Sequence, residues 1–109
     1  MDALASGLGA SSGHHIGRIR LIAHPHELDQ LQTGEVLVVR RSNPAWTVGM
    51  LKAGALISES GGIISHTAIV AREMGVPCIV GVQNATSLLV TGMRVDVDAE
   101  QGKIYRLEE

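Results

Sequence analysis

Short apolar runs, separated by turn and helix signals, constrain the fold of this 109-residue chain. Residues 35–40 are apolar on both faces of an extended strand, which is typical of a central strand in a sheet covered on both sides. Residues 55–58 and 78–82 are further brief apolar strands. Because helical segments lie between these strands, the sequence predicts an α/β fold.

Local signals place the remaining elements. A strand is predicted over 18–23, and a closing hairpin over 93–98 and 103–107. Asn43 is a candidate N-cap for a short helix, because Pro44 suits the first helical position. Each of the other predicted helices begins at a capping residue or a proline and is followed by a glycine. These helices cover residues 25–31, 65–74 and 85–89, and Asn84 is the candidate cap of the last one.

Composition excludes several classes of function. The chain has 9 basic and 11 acidic residues, and only 2% of its residues are aromatic, which argues against a nucleic-acid partner. Its single cysteine, Cys78, cannot form an intrachain disulfide, and this suits a reducing cytoplasm. No apolar run approaches the roughly 18 residues of a membrane span, and residues 1–13 lack a signal-peptide pattern. We therefore expect a soluble, cytoplasmic protein without a membrane partner.

The chain length predicts one domain. Residues 1–12 are rich in Gly, Ala and Ser and are interpreted as a linker or loosely ordered N-terminal segment, and residues 13–109 as the domain. A domain of this size is too small to hold both a nucleotide site and a second substrate site.

One loop and helix carry the candidate chemistry. Gly61 and Gly62 free the backbone, Ser65 is a candidate N-cap, and an apolar-periodic run follows until Gly75. His66 therefore lies at a helix N-terminus, where unpaired N–H groups and the helix dipole favour anions.

The motif around this histidine closely resembles the phosphohistidine, or mobile, domain of phosphoenolpyruvate-utilising enzymes. The similarity rests on GG at 61–62, SHTAIVARE at 65–73 and GVP at 75–77, and it extends to GEVLV at 34–38 and to the segment 92–102. The family includes phosphoenolpyruvate synthase, pyruvate phosphate dikinase, enzyme I of the sugar phosphotransferase system and rifampin phosphotransferase. Several residue types recur at fixed offsets around one histidine, which makes the motif specific.

The resemblance implies a three-layer β/β/α swivelling domain with short helices around a mixed sheet. It implies that His66 is transiently phosphorylated, and that Gly61, Gly62, Ser65 and Thr67 border the phosphoryl group. Such a domain shuttles the group between a nucleotide- or phosphoenolpyruvate-binding domain and a second acceptor site. The chain would thus be a phosphotransferase component that is inactive alone.

Residues around the motif have expected supporting roles. Arg72 lies six residues after His66, beyond one helical turn, so we expect it to pair structurally with Glu59 instead of clamping phosphate. Thr67 could donate to the phosphoryl oxygens or simply face solvent in the first turn. Ile63 and Ile64 are apolar residues in a loop expected at the surface, and they are candidate docking residues.

Cofactors are expected elsewhere. The sequence has neither a phosphate-cradling lysine motif nor a carboxylate cluster, so we expect no metal here, with Mg²⁺ and ATP or phosphoenolpyruvate on partner domains. His14 and His15 are interpreted as solvated loop histidines. Asp96 and Asp98 alternate on a strand and are expected to face solvent.

Two alternatives remain open from sequence. His66 could be a capping or core histidine that happens to follow a glycine loop. The chain could also be an interaction or regulatory module with the same fold that carries no phosphate. Whether it is a part of a larger enzyme or a free-standing carrier also stays open.

Overall fold

The computed structural model describes residues 2–108. Met1, in the predicted N-terminal segment 1–12, and Glu109, in the predicted domain 13–109, lie outside the described residues. The strands found there are β1 (Ala5–Ser6), β2 (Leu8–Ser11), β3 (His14–Leu21), β4 (Val36–Val39), β5 (Ala55–Ser58), β6 (Cys78–Val80), β7 (Arg94–Asp98) and β8 (Lys103–Arg106). The helices are α1 (Thr47–Met50), α2 (His66–Met74) and α3 (Ala85–Leu88), with 3-10 helices at Pro25–Gln30 and Pro44–Trp46. Within residues 2–108, none of the helices is long and apolar enough to span a bilayer.

The strands form one mixed sheet in the order β1-β8-β7-β3-β4-β5-β6-β2. β3 is shared between two halves of this sheet. Its residues 14–18 pair antiparallel with β7, and its residues 19–21 pair parallel with β4. The strands β4, β5 and β6 continue as parallel neighbours, whereas β7, β8 and β1 pair antiparallel.

The antiparallel half covers one face of the parallel half. Successive side chains of a strand point to opposite faces, so alternate residues of β4 enter different cores. Val36 and Val38 pack in one buried cluster with Val95 and Val97 of β7 and with Ile104 of β8. Two β layers are therefore packed face to face.

Helices cover the other face of the parallel strands. Leu37 and Leu56 pack in a second buried cluster with Met50 of α1 and with Ala68 and Ala71 of α2. Each of these five side chains is at most 1% exposed. The layer order is antiparallel strands, parallel strands and helices, which confirms the α/β class and the three-layer β/β/α arrangement.

Residues 5–11 belong to the sheet, which corrects the prediction of a linker or loosely ordered segment over 1–12. β1 pairs with β8 at one edge, and β2 pairs with β6 at the other. The small residues of this segment permit close backbone packing: a Cβ added at Gly9 would collide with the carbonyl oxygen of Ala99. The small residues that are typical of linkers here form edge strands that pack closely against neighbouring backbone.

Most other elements agree with the sequence prediction to within a few residues. Ala55–Ser58 forms β5 as predicted, while β3 begins four residues before the predicted strand, at His14. Asn84 lies at the predicted N-cap position of α3, but it does not cap the helix through its side chain. Asn84 adopts a left-handed conformation with φ of 61°, and its side chain makes no capping hydrogen bond.

Candidate functional site

α2 begins at His66 and holds this histidine at its N-terminus. Ser65 is the N-cap, and its Oγ accepts a long hydrogen bond of 3.5 Å from the amide of Ala68. Gly75, with a left-handed φ of 73°, ends the helix as its position in the sequence predicts. The imidazole therefore lies beside unpaired first-turn N–H groups and the positive end of the helix dipole.

The two loop glycines have different surroundings. Gly61 has a φ of 94°, and an added Cβ would lie 2.7 Å from Cβ of Ser65. Gly62 has no positive φ, and an added Cβ there meets nothing within 4 Å. Gly61 therefore sets the backbone path into the cap, while Gly62 leaves open space beside the loop.

Both ring nitrogens of His66 contact hydroxyl groups from one neighbouring segment. Nδ1 lies 2.7 Å from Oγ of Ser42, in the loop after β4. Nε2 lies 2.9 Å from Oγ1 of Thr47, the first residue of α1. Because a hydroxyl can either donate or accept, these contacts are compatible with both tautomers of the imidazole.

The sheet explains why these segments meet. β4 and β5 are parallel neighbours, so the loops that follow them leave the same edge of the sheet. The amide of Glu59 donates to the carbonyl of Val39 at 2.9 Å, and the amide of Ser60 donates to that of Arg40 at 3.0 Å. This pairing continues past the strand ends and brings the segment after β4 alongside the His66 loop.

Thr67 lies behind the imidazole. It is 2% exposed, and its Oγ1 lies 2.6 Å from Oγ of Ser42. The alternative in which Thr67 faces solvent in the first turn is therefore wrong. Its hydroxyl reaches His66 only through Ser42.

Glu59 and Arg72 both support the loop, but the expected pairing between them is wrong. Glu59 accepts hydrogen bonds from the amide and hydroxyl of Thr86, at 2.8 and 2.6 Å. The Thr86 hydroxyl is the main cause that lowers the pKa of this carboxyl, followed by the Thr86 amide. Arg72 instead donates to the carbonyl oxygens of Ala10, at 2.9 Å, and Ile63, at 2.6 Å. It ties the loop to β2.

Partial burial lowers the pKa of His66 below its ordinary value of 6.5, and the charge of Glu73 opposes this shift. Burial disfavours the charged imidazolium. The neutral ring is the form that has a lone pair available for nucleophilic attack.

Exposed apolar side chains flank the site in sequence. Ile63 and Ile64 precede the N-cap, and they are 53% and 83% exposed, as their loop position predicts. Val48, the residue after Thr47, is 81% exposed. The segments on both sides of the imidazole thus present apolar groups to solvent.

The histidines and aspartates near the hairpin contact other polar groups. His14 and His15 lie in β3 and not in a loop. Nε2 of His14 lies 3.1 Å from the carboxylate of Asp98, which is 5% exposed. The expectation that Asp98 faces solvent is wrong, since the pairing of β3 with β7 places His14 over it. Within residues 2–108, no group of three or more His, Cys, Asp or Glu side chains is arranged to hold a metal ion.

A comparison with protein families matches residues 31–102 to the family described as PEP-utilising enzyme, mobile domain. The chain belongs to this family. The resemblance read from the motif around His66 is confirmed.

The relatives that the chain matches include phosphoenolpyruvate synthases. The phosphoenolpyruvate synthase of Pyrococcus furiosus is 42% identical over 105 residues, which cover 96% of this chain and 13% of that enzyme. The probable phosphoenolpyruvate synthase of Methanothermobacter thermautotrophicus is 41% identical over 104 residues, which cover 95% of this chain and 15% of that protein. The chain therefore spans a small part of the length of the relatives it matches.

Solved structures share the fold of this mobile domain. Enzyme I (nEIt) has a TM-score of 0.64 and 32% identity, covering 75% of this chain and 34% of that chain. The holo-form of aconitase X from Thermococcus kodakaraensis has a TM-score of 0.72 and covers 95% of this chain and 98% of that chain. Its identity is 21%, so the second similarity shows the fold alone.

Sequence reasoning missed Ser42 and Thr47. Their signal was indirect: both follow the strand that neighbours β5, on the edge from which the His66 loop also leaves. Loops beyond the carboxyl ends of adjacent parallel strands commonly build sites together.

Proposed function

We propose that this mobile domain is a phosphoryl carrier. In this proposal, His66 takes a phosphoryl group from a nucleotide or phosphoenolpyruvate on a neighbouring domain and passes it to a second acceptor site. The observation that carries the proposal is the position of the imidazole, at the N-terminus of α2 and between two hydroxyl groups, in a chain of this family.

Nε2 is the nitrogen best placed to react. The Nδ1 side leads through Ser42 to Thr67, which is 2% exposed. The Nε2 side faces Thr47, whose neighbour Val48 is 81% exposed. In this proposal, a phosphoryl donor approaches from the Thr47 side and takes the place of the Thr47 hydroxyl.

The transfer needs a neutral imidazole. The Nε2 lone pair forms the N–P bond while the P–O bond of the donor breaks, and the electron pair leaves on the donor oxygen. The lowered pKa of His66 keeps the attacking form populated. In the reverse step the ring leaves phosphorus as neutral imidazole if Nδ1 has kept its proton.

The first turn of α2 would stabilise the phosphorylated state. Negative charge at a helix N-terminus is stabilised by about 0.3 to 1 kcal/mol per interaction at exposed sites. Gly61 and Gly62 keep side chains away from the adjoining loop, so the phosphoryl oxygens and the surface of another domain can approach the backbone. Ser65 borders the group in this proposal, whereas Thr67, which is 2% exposed, acts on the imidazole through Ser42.

Donor and acceptor sites would lie on partner domains. Mg²⁺ and ATP or phosphoenolpyruvate would bind there, and the domain alone would be inactive toward free substrates. The exposed apolar residues Ile63 and Ile64 would provide a transient docking surface.

The test is transfer of labelled phosphate. The chain is incubated with its cognate nucleotide-binding domain and ATP labelled in its β- and γ-phosphates, or with labelled phosphoenolpyruvate and the cognate domain. We expect an acid-labile, base-stable label that is absent from His66→Ala. Absence of label on the wild-type chain, under conditions where the partner is shown to be active, would contradict the carrier function and favour a module that carries no phosphate.

A further inference from the structure

Ser42 links His66 to a second hydroxyl in the interior. Its Oγ lies 2.7 Å from Nδ1 of His66 and 2.6 Å from Oγ1 of Thr67. Thr67 is 2% exposed, so water has little access to the far end of this short chain of contacts. Two hydroxyl groups and one ring nitrogen thus form a continuous hydrogen-bonded row.

Counting protons on the neutral ring limits this row to three arrangements. Each hydroxyl has one proton and two lone pairs, and each of the two contacts needs one donor. If Nδ1–H donates to Ser42, then Ser42 either donates to Thr67 or accepts from it, and in both cases Nε2 has a free lone pair. If Ser42 instead donates to Nδ1, it must accept from Thr67, and Nε2 carries the proton.

We propose that Ser42 is a positioning residue that accepts a hydrogen bond from Nδ1–H and so keeps Nε2 as the nucleophilic nitrogen. Thr67 completes the row as acceptor of the Ser42 hydroxyl. When the Nε2–P bond forms, positive charge develops on the ring and the Nδ1 proton stays in place, held by Ser42 Oγ. When the phosphoryl group leaves, the same proton remains on a neutral imidazole. The role of Ser42 in phosphoryl transfer rests on the proposed function, whereas its effect on the tautomer of His66 is independent of that function.

The geometry also explains why this role falls to Ser42 and not to Thr47. Both hydroxyls contact the ring, at 2.7 and 2.9 Å. Only Ser42 has a second hydroxyl partner on the described side chains, and this partner is buried. Thr47 lies on the side from which a donor approaches and has to give way.

The tautomer is measured by nitrogen-15 NMR of the imidazole in the 109-residue chain at a pH where His66 is neutral. We expect the Nδ1–H tautomer to predominate in the wild type and in Ser42→Thr, and to lose its predominance in Ser42→Ala. Ser60→Ala is the matched control, because the Ser60 hydroxyl donates to the carbonyl of Arg40 at 2.9 Å and not to the imidazole. A tautomer ratio unchanged by Ser42→Ala, or predominance of Nε2–H in the wild type, would overturn the proposal.

Transfer rate gives an independent readout. Removing a group that orients a reacting side chain commonly costs on the order of 10-fold in activity, so Ser42→Ala should slow labelling of His66 by about 10-fold while Ser42→Thr restores it. Equal rates for Ser42→Ala and wild type would count against the positioning role. If the wild type takes up no label, the carrier function fails, and the tautomer measurement still decides the role of Ser42.

Because Ser42 lies in a loop, we expect the amide spectra of both variants to match that of the wild type. Should Ser42→Ala fail to fold, loss of the Nδ1–H tautomer in folded Ser42→Thr would contradict the proposal.

Discussion

Two partly buried histidines have their rings held by hydrogen bonds, and the chemical nature of their partners differs. Nε2 of His15 lies 2.7 Å from the carbonyl oxygen of Gly34. The ring also lies close to backbone, since a Cβ added at Gly17 would be 3.0 Å from that nitrogen. His66 instead contacts the hydroxyls of Ser42 and Thr47.

The difference determines what each ring can do. A carbonyl oxygen only accepts, so His15 must keep its proton on Nε2. A hydroxyl accepts or donates, so the partners of His66 can follow a change in protonation or the arrival of a phosphoryl group. Fixed partners suit a structural histidine, whereas reversible partners suit one that alternates between chemical states.

Replacing each histidine by alanine should produce opposite results. His66→Ala should abolish phosphate labelling and leave the fold intact, because the ring is partly exposed and its nitrogens bond to the side-chain hydroxyls of Ser42 and Thr47. His15→Ala should retain full labelling but lose about 1 kcal/mol of unfolding free energy with its hydrogen bond. Labelling by partner domain and ATP, together with urea denaturation, measures both. Normal labelling of His66→Ala would remove the distinction between the two histidines.

Docking should depend on the apolar residues at the His66 edge. The double variant Ile63→Ser/Ile64→Ser should lower the transfer rate by about 10-fold with little change in stability, because interface residues that matter commonly contribute more than 1 kcal/mol each. Ile16→Ser is the control, since Ile16 on β3 is 53% exposed, the same as Ile63. An equal effect of both changes on transfer would show that docking does not use this edge.

The two loop glycines should differ in their tolerance of alanine. Gly61→Ala should destabilise the domain by about 1 to 3 kcal/mol, because its positive φ strains a residue with a Cβ, and the added atom meets Ser65. Gly62→Ala should change stability much less, since nothing lies near the added atom. Thermal unfolding compares them. A Gly62 variant as unstable as the Gly61 variant would mean that the loop backbone is held differently.

The titration of His66 should show the smallest effect. Burial lowers its pKa, so the ring should titrate below 6.5, the value approached in the unfolded chain. As the pH falls, the unfolded chain therefore binds a proton at this histidine before the folded chain does. The contribution of His66 to the free energy of unfolding is complete above pH 6.5 and decreases as the pH drops below that value. An NMR titration of the imidazole measures the midpoint. A value above 6.5 would mean that neighbouring negative charge outweighs burial.

Local sequence signals were sufficient for the centre of the site. A capping serine, two glycines and the glycine at the helix end predict where α2 begins and ends, and so place His66 at its N-terminus. These signals act within a few residues of the chain, where backbone preferences dominate.

The partners of His66 could not be found in this way. Ser42 lies 24 residues before His66, and Thr47 lies 19 residues before it. Serine and threonine are common in loops, and only the parallel pairing of β4 with β5 brings these two to the ring. The burial of Asp98 was likewise missed, because alternation along β7 does not show that His14 of the paired strand covers one aspartate.

The edge pairing of β1 with β8 has a mechanical consequence. Ala5 lies opposite Ile104 in this antiparallel pair, so the two outer stretches of the described chain run side by side in opposite directions. Any flanking domains connected through these strands would share one short, double-stranded stem. A force applied at that stem would enter the sheet at its β1–β8 edge.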